Sequence, residues 1–386
     1  MNTIKTKIKK LKEVSGSHSP SIATLINDIP QLEIKVDACF LSNPYATDLF
    51  MGHLEEDLIK KNRLRDVLEF YPPQNKDISA ILSKSLQVNP ENIFVGNGAI
   101  EVIQAVLHRF VKKKLCVILP TFSSYYEFAN DETEVLYYHL HKENKFELDL
   151  FDYIKFVKDN AINNIVLINP NNPNGGYIPK EQFHTLIEEL KHLDNIIIDE
   201  SFIHFAYEDV DMFQVSNEEL IQNYPNLVIV KSMSKDFGVA GLRAGYGIMA
   251  SNKIEQLLKT GYLWNISGLT DYFFRLYSSR EFQKQYDVVR KKYIMNTLMF
   301  LSEIRSVHSI TVYPSKANFA LVEIPEGFNS FDFTMDLLID HGVYVRDCGD
   351  KVGLDGDFIR VASRTFEENL EIINAIKTVS QLALIN

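Results

Sequence analysis

The sequence predicts an α/β fold: a large domain built on a mostly parallel sheet sandwiched by helices, plus a small C-terminal α+β domain. Three observations lead there. From about Lys76 to Ala250, short apolar runs alternate with helix-period segments. The apolar runs are continuous rather than alternating, as in strands buried on both faces. Beyond about Glu303 the pattern changes to shorter strands and helices. Hydrophobic residues make up 46% and charged residues 24% of the chain, ample for a globular core.

Taken in order, the first thirty residues stand apart. Lys5, Lys7, Lys9, Lys10 and Lys12 surround Ile4, Ile8 and Leu11, followed by Gly16, Ser17, Ser19 and Pro20. Residues 1–35 read as a solvated, partly helical lead-in, as a linker to another domain, or as an arm on a partner subunit. Residues 36–285 are assigned to the large domain, with their N-terminal segment contributing to the small one, and residues 286–386 to the small domain. Ile100, Ile103, Leu107 and Phe110 recur at helical spacing, and Lys112–Lys114 suit that helix's negative end. Strands are expected at Leu115–Leu119, Val135–Leu140, Ile165–Ile168, Ile196–Ile198, Leu227–Val230 and Gly245–Met249. A long helix follows near Phe282, Tyr286, Val289 and Tyr293. The small domain then takes Ile310–Tyr313, Phe319–Ile324, Phe331–Ile339, Val343–Arg346, Phe358–Ala362 and Glu367–Ala383.

Composition narrows the function classes. Lys+Arg is 40 against Asp+Glu 51, a formal charge of −11, which argues against nucleic acid as a partner. Cys39, Cys116 and Cys348 lie too far apart to suggest a zinc knuckle or redox pair, and no metal is expected. The apolar runs fall short of the ~18 residues of a membrane span. Residues 1–15 carry five lysines and no apolar signal segment follows them. A cytoplasmic protein that binds no membrane is expected.

Polar residues gather just after the expected strands, where ligands of open α/β sheets bind. Asn169-Pro-Asn-Asn172-Pro-Asn-Gly175 follows one strand, Asp199-Glu-Ser-Phe202 the next, and Lys231-Ser232-Met-Ser234-Lys235 a third. Gly241-Leu-Arg243-Ala-Gly-Tyr246 comes soon after. One ligand uses a carboxylate, an amide, two hydroxyls, a lysine and an arginine together: pyridoxal 5′-phosphate. Its aldehyde needs an amine for a Schiff base, here Lys235. Its ring nitrogen needs a carboxylate, Asp199, to stay protonated as an electron sink. Asn172 can donate to the ring oxygen. Ser232, Ser234 and Arg243 suit the phosphate, with backbone N–H groups of Gly98, Ala99 and Ile100 at a helix N-terminus.

With these residues in view, the chain resembles the fold-type I, class I/II aminotransferases from about Asp37 to its end, in the branch of histidinol-phosphate aminotransferases and threonine-phosphate decarboxylases. Ser232-Met-Ser-Lys235-Asp-Phe-Gly-Val-Ala-Gly-Leu-Arg243 is similar to that family's lysine segment. The resemblance implies that Phe122 stacks on the ring and that Tyr71 reaches the phosphate of a neighbouring subunit's cofactor. It further implies that Arg360 holds the substrate α-carboxylate, that Arg346 is a candidate for a substrate phosphate, and that Asn43-Pro44-Tyr45 closes over the site. A homodimer with shared sites follows from the same source. The activity it implies is transamination between a small-molecule amino donor and acceptor, the substrate bearing a phosphate or phosphonate, with Lys235 as general acid/base. The alternatives are decarboxylation of a phosphorylated amino acid, or a non-catalytic binding module of a larger assembly.

Two positions depart from the family. Phe202 stands where a tyrosine is usual, and His204 where an acidic residue is expected, the latter reading as a surface or supporting histidine. Arg364 and Trp264 are further pocket candidates that an ion pair and a core role explain equally well. Without a tyrosine hydroxyl on the ring oxygen, the Schiff base at Lys235 is expected to have a raised pKa. Phe202→Tyr should therefore lower that pKa in a spectrophotometric titration, and an unchanged midpoint would refute the idea.

Overall fold

The computed structural model describes residues 2–206 and 217–382 and divides the chain into two compact units. The larger comprises Ser42–Asn172 and Gly176–Lys292; the smaller comprises Met1–Leu41, Pro173–Gly175 and Tyr293–Asn386. Among the described residues the strands in chain order are β1 (Val36–Ala38), β2 (Ile93–Asn97), β3 (Lys113–Leu119), β4 (Thr133–His139), β5 (Asn164–Ile168), β6 (Asn195–Asp199), β7 (Leu227–Ser232), β8 (Ala244–Met249), β9 (Thr311–Val312), β10 (Phe319–Glu323), β11 (Val343–Asp347) and β12 (Phe358–Ala362).

The larger unit holds a seven-stranded sheet in the order β2-β8-β7-β6-β5-β3-β4. Strands β4, β3, β5, β6 and β7 pair in parallel, and β8 pairs antiparallel with both β7 and β2. So β8 alone is reversed. Every residue of β5, β6, β7 and β8 is buried, which explains their unbroken Val/Ile/Leu content: both faces are covered by helices. The edge strand β4 instead alternates between half-buried and exposed positions, so it departs from the pattern of burial on both faces.

Topology decides where the polar strand ends meet. Ile168 lies beside Asp199, Ser232 beside Gly245, and Asn97 beside Ala244. The carboxyl ends of β2, β5, β6 and β7 and the start of reversed β8 thus share one edge of the sheet. Helix Gly98–Phe110 leaves β2 directly and buries Val102, Ile103, Val106 and Leu107. Its first turn sits close on β8, since a Cβ on Gly245 would lie 2.5 Å from the Ala99 nitrogen.

The smaller unit carries a five-stranded sheet, β1-β11-β12-β10-β9, antiparallel except for the β1–β11 pair. Its core joins Phe300 and Ile304 to Phe333, Leu337, Ile372 and Ile376 over β10, β11 and β12. The boundaries differ from those expected at residues 35 and 285. Helices Asn2–Ser15 and Ile22–Asp28 belong to this unit, with Ile8, Leu25 and Ile29 buried against Met335, Leu338 and Tyr344. The lead-in is therefore not a solvated arm: Ile4, Ile8 and Leu11 form an apolar stripe between its lysines, and that stripe has a docking partner. The second boundary falls inside the continuous helix Arg280–Arg305, where no turn or composition change marks it.

Leu25 is fully buried, so Leu25→Ala should cost about 2–5 kcal/mol in chemical denaturation of the smaller unit. A change under ~0.5 kcal/mol would mean that the N-terminal helices do not belong to this core.

Candidate active site

Asp199 ends β6 with its carboxylate fully enclosed. Its Oδ2 accepts from the Tyr125 hydroxyl at 2.9 Å and its Oδ1 from the Ser201 N–H at 2.8 Å. Burial pushes this carboxyl up, against those two donors and the positive charge of Lys231. A carboxylate so placed favours a cationic partner, as a protonated ring nitrogen would be.

One strand over, the Asn169–Gly175 turn divides its amides by role. Asn169 closes the turn on itself, accepting from Ile178 N at 2.9 Å. Asn171 accepts from the Thr121 hydroxyl at 2.7 Å and donates to Pro120 O at 2.9 Å, tying this turn to the segment that carries Phe122. Asn172 and Phe122 are half-buried, and Tyr125 and Thr121 are buried just beyond them.

Past the end of β7, the chain leaves the sheet through Ser232, Ser234 and Lys235. Ser234 donates its backbone N–H to the Ser232 hydroxyl at 3.2 Å, and both serines are buried while Lys235 is half-buried. Asn43 donates its backbone N–H to the Lys235 carbonyl at 2.8 Å, and the Thr47 hydroxyl donates to Gly238 O at 2.9 Å. Asn43 also caps the helix Pro44–Leu54, accepting from Ala46 N. Its fully buried Nδ2 has no partner among the described residues. Beside it, Lys292 stands over the Tyr45 ring at 4.3 Å.

Arg243 precedes β8 in a left-handed conformation, φ +58°, donating to Ala240 O at 3.0 Å. Its guanidinium occupies the space that a Cβ on Gly98 would fill, at φ +74° and the start of the helix. The N–H groups of Gly98, Ala99 and Ile100 have no partner within that helix's ladder. A glycine-opened helix start, an arginine beside it and two buried serines fit a phosphate. With the enclosed Asp199 carboxylate one strand from Lys235, the set fits pyridoxal 5′-phosphate as a whole. Tyr71 is 83% exposed and touches Trp264 at 5.4 Å between ring centroids.

Beneath the lysine segment lies a buried charge cluster that sequence reasoning missed. The Lys231 ammonium donates to the Asp236 carboxylate and, at 3.0 Å, to Glu200 O. His204 Nδ1 lies 2.9 Å from the Tyr286 hydroxyl and 3.3 Å from Asp236 Oδ2, and Arg290 donates to His204 O. Burial and the neighbouring cations push the His204 pKa well down, so it is neutral. The histidine is thus a buried support rather than a surface group. Phe202, next to this turn, is buried as well. A lysine directly after the apolar run Leu227–Val230, with an aspartate five residues on, was the available signal.

The two substrate-binding candidates with guanidinium groups lie in the smaller unit. Arg346 and Arg360 are directly opposite on the antiparallel β11–β12 pair, and both are buried. Arg360 donates to Cys39 O at 2.7 Å and lies over Phe319 at 5.5 Å. Arg346 is committed: it makes two 2.9 Å bonds to Asp350 and also donates to Ser17 O and Asp347 O. Its sequence assignment to a substrate phosphate therefore meets a buried ion pair already in place. Arg364 lies 3.7 Å from Glu368.

The model of the aminotransferase class I and II family matches residues 61–376. An L-serine phosphate decarboxylase of Campylobacter jejuni is 55% identical over 97% of this chain and 96% of its own length. A histidinol-phosphate aminotransferase of Methanococcus aeolicus is 29% identical over 98% of each chain. The solved structure of a decarboxylase from Sulfurospirillum multivorans superposes with a TM-score of 0.94 at 43% identity, covering 98% of this chain and 97% of that one.

Lys231→Met leaves Asp236 buried without its cation and should destabilise the fold by about 3–5 kcal/mol. Adding Asp236→Leu should restore most of that loss in thermal denaturation. A double variant no more stable than the single one would contradict the ion-pair reading.

Proposed function

The chain belongs to the class I and II aminotransferase family, with pyridoxal 5′-phosphate as cofactor, and from that premise we propose that it decarboxylates O-phospho-L-serine. The products are carbon dioxide and O-phosphoethanolamine. One observation carries this reading: the Campylobacter relative, named an L-serine phosphate decarboxylase, is 55% identical across nearly the whole chain. It favours the decarboxylase alternative over the transamination that the sequence alone put first.

When bound, the cofactor supplies an electron sink for the pair released as a bond to Cα breaks. The protein's part is to hold and orient. Lys235 would carry the cofactor and, once displaced by the substrate amine, deliver from Nζ the proton that replaces carbon dioxide at Cα. Asp199 would keep the ring nitrogen protonated, Asn172 would donate to the ring oxygen, and Phe122 would cover the ring face. Ser232, Ser234, Arg243 and the N–H groups of Gly98, Ala99 and Ile100 would hold the cofactor phosphate. Asn43 would fix the backbone at Lys235, through the 2.8 Å bond already described, with Tyr45 beside it. Arg360 would hold the α-carboxylate, and which Cα bond breaks depends on where it sets that group. The exposure of Tyr71 suits a role toward the cofactor of a second copy in a homodimer. A non-catalytic module would have no use for a lysine placed as a proton donor.

The test is direct. Protein loaded with pyridoxal 5′-phosphate is incubated with O-phospho-L-serine, following carbon dioxide and phosphorus resonances. Equal amounts of carbon dioxide and O-phosphoethanolamine are expected, with a rate loss of roughly 10²–10⁴-fold or more in Lys235→Ala. A keto acid formed without carbon dioxide, in the presence of 2-oxoglutarate, would return the assignment to transamination.

A further inference from the structure

The lysine segment begins at Lys231, the last but one residue of β7, and passes through Lys235 to Asp236. Its two ends meet: the Lys231 ammonium donates to the Asp236 carboxylate and closes the segment on itself. Ser232, Ser234 and Lys235 all lie inside that closure. Both charged side chains are at most 1% exposed, and both belong to the larger unit.

Each end of the closure is also held from outside. Lys231 donates to Glu200 O at 3.0 Å, in the turn after β6. Asp236 Oδ1 accepts from the Phe237 N–H at 3.1 Å, and Oδ2 lies 3.3 Å from His204 Nδ1. Between the ends, the Ser232 N–H donates to the Ser201 hydroxyl at 3.2 Å, and the Met233 N–H to Ala244 O at 3.1 Å. Arg290, the other cation at His204, is matched by Asp287 at 2.9 Å.

Stability alone gives no reason for this arrangement. Apolar side chains of similar size in place of a buried ion pair are often neutral or stabilising. Packing also anchors the segment already, since Phe237 stacks on Tyr286 with ring centroids 4.0 Å apart. What the pair adds is direction, because ammonium and carboxylate satisfy each other only in a narrow geometry. A lysine amine sits on a flexible four-carbon stem, so its reach is set by where its backbone is held.

Resting on the cofactor site proposed above, we infer that the Lys231–Asp236 pair is a positioning clamp. It fixes where the Lys235 amine stands relative to the Ser232 and Ser234 hydroxyls. The clamp acts through Lys235 and the serines rather than on the cofactor itself. A cofactor held by its phosphate at one end and by Lys235 at the other would register any slackening of the segment between them.

The experiment compares wild type with Lys231→Met/Asp236→Leu, both loaded with pyridoxal 5′-phosphate. It measures melting temperature, visible circular dichroism of the bound cofactor, cofactor affinity, and kcat and KM for O-phospho-L-serine. The double variant should melt within about 4 °C of wild type. It should nonetheless show weakened dichroism, roughly 10-fold lower cofactor affinity and roughly 100-fold lower kcat, the scale of a 1 Å misplacement. KM should stay within about threefold. A double variant with wild-type dichroism, affinity and kcat overturns the inference and leaves the segment held by Phe237 packing alone. Losses that appear only in step with a lowered melting temperature make the pair structural, and the inference is wrong. If the double variant fails to fold, Asp236→Asn, which keeps the shape and an acceptor for Lys231, decides by the same dichroism and kcat readings. A wild type that shows cofactor dichroism without turning over phosphoserine refutes the substrate reading, while dichroism and affinity still judge the clamp.

Discussion

A parallel sheet enclosed on both faces can expose polar groups only where its strands end, and this constraint organises the larger unit. Strands β5 through β8 have no exposed residue. Their backbone groups are satisfied by the ladder, so chemistry is pushed to the edge beyond Ile168, Asp199 and Ser232. The reversal of β8 adds the last component. Because β8 runs backward between β2 and β7, its first residues, rather than its last, lie at that edge. Arg243 thereby reaches the helix start at Gly98, although the two are far apart in sequence.

Burying charge is costly unless the partners are complete, and the larger unit meets that condition beneath its lysine segment. Under the Lys235 segment the accounts close: one lysine, one aspartate and a histidine kept neutral by burial. The cluster joins the turn after β6 to the segment after β7, through Glu200 O, His204 and Asp236. Asp199 and Lys235 leave those same two strands, so their separation is fixed by a rigid charged contact rather than by loop packing alone. A completed network of this kind serves position.

Much of this was legible in the sequence because local pattern and topology agreed. The six runs between Leu115 and Met249 were readable from their apolar content, though the edge strand β4 is only half-buried, and the polar segments behind them from the rule that ligands bind at strand ends. Two strands escaped: β1 is three residues long, and β2 is a short apolar run, Ile93-Phe94-Val95, closed by Gly96 and Asn97. The N-terminal helices were misread because five lysines outweigh a three-residue apolar stripe in composition, whereas docking depends on the stripe. Tyr125, Asn171 and Asp236 went unnoticed for a different reason. Each acts through a partner far away in the chain or on the far side of a turn, and no periodicity announces such a contact.

The difference between transamination and decarboxylation lies in the orientation of one bond, and the residues that set it are not those that identify the family. In the function proposed here, Lys235, Asp199, Asn172 and Arg243 would answer to the cofactor and suit either reaction. For a phosphorylated amino acid, the carboxylate and phosphate would fix its rotation about the amine, so the groups that hold them would act as the ends of a lever. Arg360 is held by Cys39 O and the Phe319 ring, so as the proposed carboxylate partner it would have little freedom to follow a displaced group. A shift of the group that meets the substrate's far end would move the other end of that lever. Rotation about the amine then changes which Cα bond aligns with the ring's π system, with no change in any cofactor-binding residue. A family can cross from one reaction to the other in this way while its lysine segment stays the same.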